Sequence, residues 1–338
     1  MSTSTGRRAR HHHLSALLAS CDDAELAALV DAAGAVDVGI GGGSAVLDVD
    51  GTPVFVKRVP LTGVELARPR STANLFDLPL FCHYGIGGPG FTAWRELAAN
   101  LVVTDAVLAG GTGSFPLLHH WRVLPGRPPV AAEHADVDAV VALMDGSPAV
   151  RARLEALAAA PCSLVLFCEY VPLPALDWLR EDPAGKAEAV ERQLAGIVAF
   201  LREHRLLHLD GHFGNVRTDG ERLYLTDFGL ATSPRFELSG AEREFVRRNA
   251  WHDADYAAMR LVNWLVTSVC GVPVEDGPPV ARNEYVRRCA AGHVPEDVPP
   301  AVAAVVTRHA PAAARMNGFY WRLFGGDVHA EYPAPAGG

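Results

Sequence analysis

Two carboxylates and an amide in the second half of the chain have the spacing of a site that works on phosphate. Asp210 and Asn215 belong to H-L-D-G-H-F-G-N (His208–Asn215), and Asp227 opens D-F-G (Asp227–Gly229). Phosphoryl transfer is mostly positioning plus charge neutralisation, so hard oxygen donors are what a metal-dependent version needs. Asp210 can orient a substrate hydroxyl, provided it lies within hydrogen-bond reach. Asn215 and Asp227 can hold magnesium against nucleotide phosphates. The bland alternative for each motif alone is a surface turn, since Asp, Gly and Asn are ordinary turn residues. The strand-like L-Y-L-T just before Asp227 argues against it.

Three features upstream suit the same chemistry. Lys57 ends the apolar strand V-F-V-K, and Lys57 and Lys186 are the only lysines in the chain. G-I-G-G-G-S-A-V (Gly39–Val46) precedes it, and glycines let a backbone approach phosphates closely. Glu96 lies in W-R-E-L. The bland alternatives are a solvated strand lysine, a flexible linker and a solvated helix glutamate.

The order glycine loop, lysine, glutamate, H-x-D-x-x-x-x-N and D-F-G resembles the protein-kinase-like superfamily, over roughly residues 36–269. The resemblance implies an α+β, bilobal protein-kinase-like fold, with a small β-rich N-lobe and a larger helical C-lobe. A nucleotide would sit in the cleft between them. ATP and Mg2+ follow as ligands. Gly39, Gly41, Gly42, Gly43, Ser44 and Val46 would form the nucleotide loop, with Ser44 in place of the third glycine. Lys57 would contact the α- and β-phosphates, oriented by Glu96. In C-E-Y-V (Cys168–Val171), the backbone of Glu169 and Val171 would meet the adenine edge. Asp210 would be the catalytic base, His208 a brace for its loop, and Asn215 and Asp227 the metal ligands.

Three departures bear on substrate and regulation. Leu209 replaces the arginine that many protein kinases carry before the catalytic aspartate. A phosphate on the following segment would lack that charge partner, so no phospho-switch is expected at Thr232, Ser233 or Ser239. No A-P-E follows D-F-G; Glu242 or Glu244 could stand in for its glutamate. His212 gives D-x-H-x-G-N, which is similar to aminoglycoside and choline kinases. The main expectation is a phosphotransferase acting on a hydroxyl acceptor, protein Ser/Thr kinase-like. One alternative is a small-molecule kinase of the aminoglycoside phosphotransferase type, with Glu244, Asp253 and Asp255 as carboxylates for a cationic substrate. The other is a pseudokinase acting as a binding module.

The elements that must position these groups can be read from periodicity and turn chemistry. The expected division is residues 1–35 as a tail and helix, 36–171 as the N-lobe with an insertion at 61–90, 172–331 as the C-lobe, and 332–338 as a loose tail. Residues 1–13 are polar and basic and read as disordered; His11, His12 and His13 could bind metal there, though such runs are usually incidental. Asp22 with Glu25 predicts a capping box opening a helix that Gly34 ends. Asp50-Gly51 predicts a tight hairpin between strands that begin near Val36, and Asp219-Gly220 a second. Thr92–Val107 reads as a helix with Trp94, Leu97 and Leu101 on one face. Phe115 onward and Ser163–Val171 read as strands. Val137–Ala159 reads as helical, broken at Gly146 and Pro148. Lys186–His204 and Trp251–Val269 read as strong helices. The irregular 61–90 segment is a candidate lid.

The 338 residues carry a net charge of -9, which argues against a nucleic-acid partner. The six cysteines show no C-x-x-C spacing and read as reduced, buried thiols. No run of apolar residues is long enough to span a membrane, and no secretory leader is evident, so a cytoplasmic location is expected.

Overall fold

The computed structural model describes residues 3–33, 37–40 and 42–335. Gly34, Val36, Gly41 and residues 336–338, and the expectations attached to them, lie outside these. The chain is mixed α+β and divides into two compact units: Met1–Val171 with Thr226–Arg243, and Pro172–Leu225 with Glu244–Gly338.

The first unit opens with helices α1 (Thr3–Ser20) and α2 (Asp23–Ala32). α2 starts at the expected capping box, in which the Asp22 side chain accepts from the Glu25 backbone and Glu25 reaches back. α1 corrects the expectation of a disordered tail. Its Leu14 and Leu18 join Leu26, Val30, Leu47, Val54, Val56, Leu124, Val165 and Phe167 in one core. Burial of two leucines supplies the drive that a polar stretch lacks alone. Its polar side has partners far along the chain. Arg7 Nε donates to Glu169 at 2.8 Å, His11 Nδ1 lies 3.1 Å from His119 Nδ1, and His13 meets Asp50 at 2.8 Å. Burial first, then neighbouring cations, pushes His119 down to about 3.

Strands β1 (Asp37–Gly39), β2 (Gly42–Val49), β3 (Thr52–Leu61), β4 (Leu118–Pro125) and β5 (Cys162–Glu169) pair antiparallel in the order β1-β2-β3-β5-β4. The β2–β3 turn is Asp50-Gly51, both at positive φ (52° and 72°), with Val49 opposite Thr52. That is the primed turn whose twist suits a two-residue hairpin. The interior of β5, Leu164–Cys168, is continuously apolar because both sheet faces are covered. Val165 and Phe167 face α1 and α2. Leu164 and Leu166, with Leu61 of β3, face Ala93, Trp94 and Leu97 of a longer helix.

Between β3 and that helix runs the 61–90 segment, containing the short helix α3 (Gly63–Leu66); the longer helix is α4 (Ala93–Ala109). The segment is built into the unit's core through a network centred on Glu65. Arg153 pairs with Glu65 at 2.8 Å, the two side chains being 3% and 0% exposed. Arg153 Nε also donates to the Gly90 carbonyl at 3.1 Å, so one guanidinium ties both ends of the segment. Glu65 accepts from Ala93 N at 2.9 Å, and its carbonyl accepts from Trp94 Nε1 at 3.0 Å. Burial opposes the Glu65 charge, but Arg153 and Thr62 outweigh it and hold the carboxyl below its usual range. On α4, Trp94 and Leu97 are buried as expected, but Leu101 is 41% exposed; the inward stripe continues through Ala99, Val103 and Val107. The first turns turn inward all round because Arg95 and Glu96 find buried partners. Helices α5 (Val137–Leu143) and α6 (Pro148–Ala158) break where Gly146 and Pro148 predict.

The second unit contains α7 (Ala175–Glu181) and α8 (Pro183–Glu203), with the short strands β6 (Leu173–Pro174), β7 (Val216–Thr218) and β8 (Leu223–Leu225). α9 (Gly240–Arg248) carries the chain back into this unit, followed by α10 (His252–Ser268), α11 (Val280–Ala290) and α12 (Pro300–Phe324). α8 buries Val190, Leu194, Ile197 and Leu201, the predicted stripe. The β7–β8 loop is wider than a two-residue turn, since Thr218 pairs with Leu223. Asp219 spans it, accepting from the Glu221 and Arg222 backbones. α10 and α12 are pinned by reciprocal amide bonds between buried Asn263 and Asn317, at 2.8 and 3.0 Å. Among the described residues, no helix is long and apolar enough to cross a membrane.

Candidate functional site

In the first unit, strand alternation decides where Lys57 goes. Val54 and Val56 take the α1 side of the sheet, so Lys57 takes the other face with Val59 and Leu61, which α4 covers. Glu96 is on the first turns of that helix. Lys57 Nζ donates to Glu96 Oε1 at 2.7 Å and to Asp227 Oδ1 at 2.8 Å. Three residues far apart in the chain thus share one ammonium. The Lys57 and Glu96 side chains are 12% and 4% exposed, whereas that of Asp227 is 37% exposed.

The electrostatics follow from one cation between two anions. Burial alone would lower the Lys57 pKa, but Asp227 and then Glu96 outweigh it and push it above its ordinary value. Glu96 is raised to about 7, mainly by burial, with Asp227 adding to the rise and Lys57 opposing it. The two carboxylates thus favour the charged form of Lys57, while burial favours the neutral form of Glu96. Cys168, opposite Phe55 on β3, is pushed up to about 12 by burial and is a free thiol.

Asp227 itself has φ 61°, a left-handed backbone unusual for a side-chain-bearing residue. Its carboxylate also accepts from Gly229 N at 3.1 Å. A Cβ at Gly229 would lie 3.2 Å from Asp227 Oδ1 and 3.7 Å from Glu96 Oε2, so the D-F-G glycine leaves room for both carboxylates. Phe228 is buried, its ring 6.2 Å from that of Phe115.

The glycine hairpin separates into two kinds of position. Gly39 pairs with Gly42, and Ser44 lies opposite Lys57. Gly42 has φ 119°, and a Cβ there would come 2.1 Å from the Arg58 carbonyl, so the fold itself demands glycine. At Gly39 a Cβ would meet nothing within 4 Å. The glycine there is not required by packing. Val46 lies further along β2, opposite Phe55.

At the end of β5, Glu169 N donates to the Leu117 carbonyl at 2.8 Å. Any adenine contact from Glu169 therefore falls to its carbonyl rather than its N–H. The Glu169 side chain is held by Arg7 and by Leu117 N at 3.2 Å. Val171 is buried at the unit's edge.

In the second unit, the His208–Asn215 loop is held mostly by backbone bonds. Leu209, buried, has φ 66°. Asp253, on α10, accepts from His208 N at 2.7 Å and from Leu209 N at 2.9 Å, which fixes that turn. Burial works against the Asp253 charge, but His252, His208 and these bonds hold its carboxyl below the usual range. The sequence offered Asp253 only as a substrate-side carboxylate; in the fold it scaffolds the loop from α10. Asp210 N donates to His208 Nδ1 at 3.3 Å, the expected brace. Asn215 Nδ2 donates to the Asp210 carbonyl at 2.9 Å and to its carboxylate at 3.1 Å. The predicted base and the predicted metal ligand are therefore in direct contact. His212 Nε2 lies 3.7 Å from Asp210 Oδ1. Its ring fills the space a side chain at Gly214 would need, 2.7 Å from that Cβ.

Neither a scan against family models nor a search of curated proteins finds a match to this chain.

Among the described residues, no group of three or more His, Cys, Asp or Glu converges as a metal nest. Magnesium needs no such nest, because it is held by one or two protein oxygens together with substrate phosphates. An aspartate and an asparagine oxygen are of the right type.

Proposed function

We propose that this chain is a magnesium-dependent ATP phosphotransferase with a bilobal protein-kinase-like fold. It moves the γ-phosphate to a hydroxyl acceptor, in the manner of a protein Ser/Thr kinase. The observation that carries the reading is Lys57 held between Glu96 and Asp227 at 2.7 and 2.8 Å. A lysine so placed is a fixed positive charge aimed by one carboxylate and adjoining a second that can take metal.

Lys57 and the Gly39–Val46 hairpin bind the phosphates, with Glu96 orienting the lysine. Asp227 and Asn215 would hold magnesium, which when bound neutralises charge on the phosphates. Asp210 accepts a hydrogen bond from the acceptor hydroxyl, aligns its oxygen for attack and takes its proton as that oxygen bonds to the γ-phosphorus and the bond from this phosphorus to the bridging oxygen breaks, ADP leaving with that oxygen. Asn215, bonded to Asp210, keeps that carboxylate in place.

A cationic small-molecule acceptor is less well supported. Asp253 is engaged by backbone N–H groups. Asp255 is paired with Arg315 at 2.8 Å and bonded by Tyr332. Glu244 is paired with Arg247 at 2.5 Å.

The test is ATP turnover with magnesium in wild type and Asp210→Ala. The variant should lose about 10³-fold in turnover with little change in nucleotide affinity. Equal turnover in the two proteins removes Asp210 from the chemistry. Metal-dependent nucleotide binding that persists in Asp227→Ala removes D-F-G from metal binding.

A further inference from the structure

Glu96 has a neighbour on α4 whose partner lies on the segment after D-F-G. Arg95 donates to Glu242 at 2.5 Å, with side-chain exposures of 1% and 2%. Its Nε donates to the Thr72 carbonyl at 2.7 Å. Its guanidinium lies 4.8 Å from the Phe91 ring and 6.0 Å from that of Phe236. Glu242 is also tied back to its own segment, accepting from Ser239 N at 2.8 Å, while its N–H donates to Ser239 Oγ at 3.2 Å.

These contacts close a ring. Asp227 binds Lys57, Lys57 binds Glu96, Glu96 is joined by a peptide bond to Arg95, Arg95 binds Glu242, and the chain from Glu242 runs back to Asp227. The 61–90 segment reinforces the ring from outside. Glu237 accepts from Thr72 N at 3.1 Å and Ala73 N at 3.2 Å, and from Ser71 Oγ; its N–H donates to Thr72 Oγ1 at 2.8 Å.

We propose that Arg95 and Glu242 are positioning residues: their ion pair holds Glu96 on Lys57 and anchors the segment that follows Asp227. This rests on the phosphotransferase reading above and deepens it. A segment of this kind is commonly ordered by a phosphate that meets an arginine. Here the arginine already has a carboxylate, supplied by the same segment. The hydroxyls that could receive a phosphate point the same way. Thr232 and Ser233 are 0% and 3% exposed, and Ser239 is engaged with Glu242. The enzyme is thereby set in its working arrangement without modification, with the insertion at 61–90 acting as the outer brace.

The test uses the full chain as wild type, Glu242→Gln and the double variant Arg95→Met/Glu242→Leu. The double variant removes both buried charges together, which proteins usually tolerate in folding. Asn317→Ala, which breaks the Asn263–Asn317 bonds, serves as a control for simple destabilisation. Turnover and KM for ATP with magnesium are measured, together with the midpoint of the Glu96 carboxyl by 13C NMR without nucleotide. In both ring variants kcat should fall about tenfold or more while KM changes less than about threefold, and the Glu96 midpoint should move by about one pH unit. Asn317→Ala should leave kcat and the midpoint in place. Wild type treated with a phosphatase should keep its rate within about twofold.

An unmoved Glu96 midpoint in both ring variants overturns the proposal whatever the activity. So does a wild-type kcat in them, or a tenfold loss on phosphatase treatment. A wild type with no turnover at all, but with a midpoint that moves in the variants, refutes the phosphotransferase reading and leaves the ring intact.

Discussion

The first unit assembles its charged groups from a strand, a helix and the D-F-G turn, and neutralises them side chain against side chain. Lys57 meets Glu96 and Asp227, while Arg95 meets Glu242 and Arg153 meets Glu65. The second unit takes Asp210 and Asn215 from one loop and fixes that loop through its backbone, with Asp253 receiving two N–H groups. The difference teaches where fragility lies. Removing one partner of a buried ion pair strands a charge, whereas a loop held by backbone bonds keeps its shape when its exposed functional group is trimmed.

The comparison is broken most directly at Lys57. Lys57→Met leaves Glu96 and Asp227 facing each other without a cation, and should cost about 3–5 kcal/mol in urea unfolding. A loss below about 1 kcal/mol would mean that the trio is not the charge-coupled unit argued above. On the other side, Asp253→Ala should cost about 2–4 kcal/mol, since two buried N–H groups lose their acceptor. It should also lower turnover through Asp210 without altering the Glu96 midpoint; a moved midpoint would erase the distinction between the two mechanisms.

Glu96 and Asp253, one in each unit, should respond to pH with opposite slopes. Glu96 is raised from 4.5 to about 7, so its contribution is full below 4.5 and is lost as pH climbs through 7. Asp253 is lowered from 3.8, so its contribution is full above 3.8 and is lost as acid takes the pH through its folded value. Urea stability should thus drop by roughly 2–3 kcal/mol between about pH 4.5 and 7 in wild type, and this slope should flatten in Glu96→Gln. The acid-side loss should shrink in Asp253→Asn and not in Glu96→Gln. The smallest effect is expected at Gly39, where a Cβ has open space. Gly39→Ala should change stability by less than about 0.5 kcal/mol while raising KM for ATP; an unchanged KM would detach the hairpin from the phosphates.

Much of this was legible where the controlling interactions are local. The Asp22 capping box, the Asp50-Gly51 turn and the α8 stripe depend on neighbours within a few residues. The Lys57–Glu96 pair was legible through motif order. What stayed hidden depends on partners far along the chain. α1 looked like a tail because its leucines are few and Arg7 finds Glu169 only in the folded unit. Nothing in the sequence marked Arg95 or Glu65, because charge normally means exposure and only a buried partner reverses that. Leu101 was placed inward because the start of α4 was read as one apolar stripe, although polar residues occupy part of its buried surface.

The placement of α1 also sets an order of events during synthesis. Its leucines pack against Val165 and Phe167, and its Arg7 binds Glu169. None of those partners has left the ribosome until well over a hundred residues after α1 has emerged. Until then α1 has only part of its core, Leu26, Val30, Leu47, Val54 and Val56 among it, and lacks β5, a state open to chaperones and to mispairing. α1 thus completes its packing on one face of the first unit only after β5 has been made.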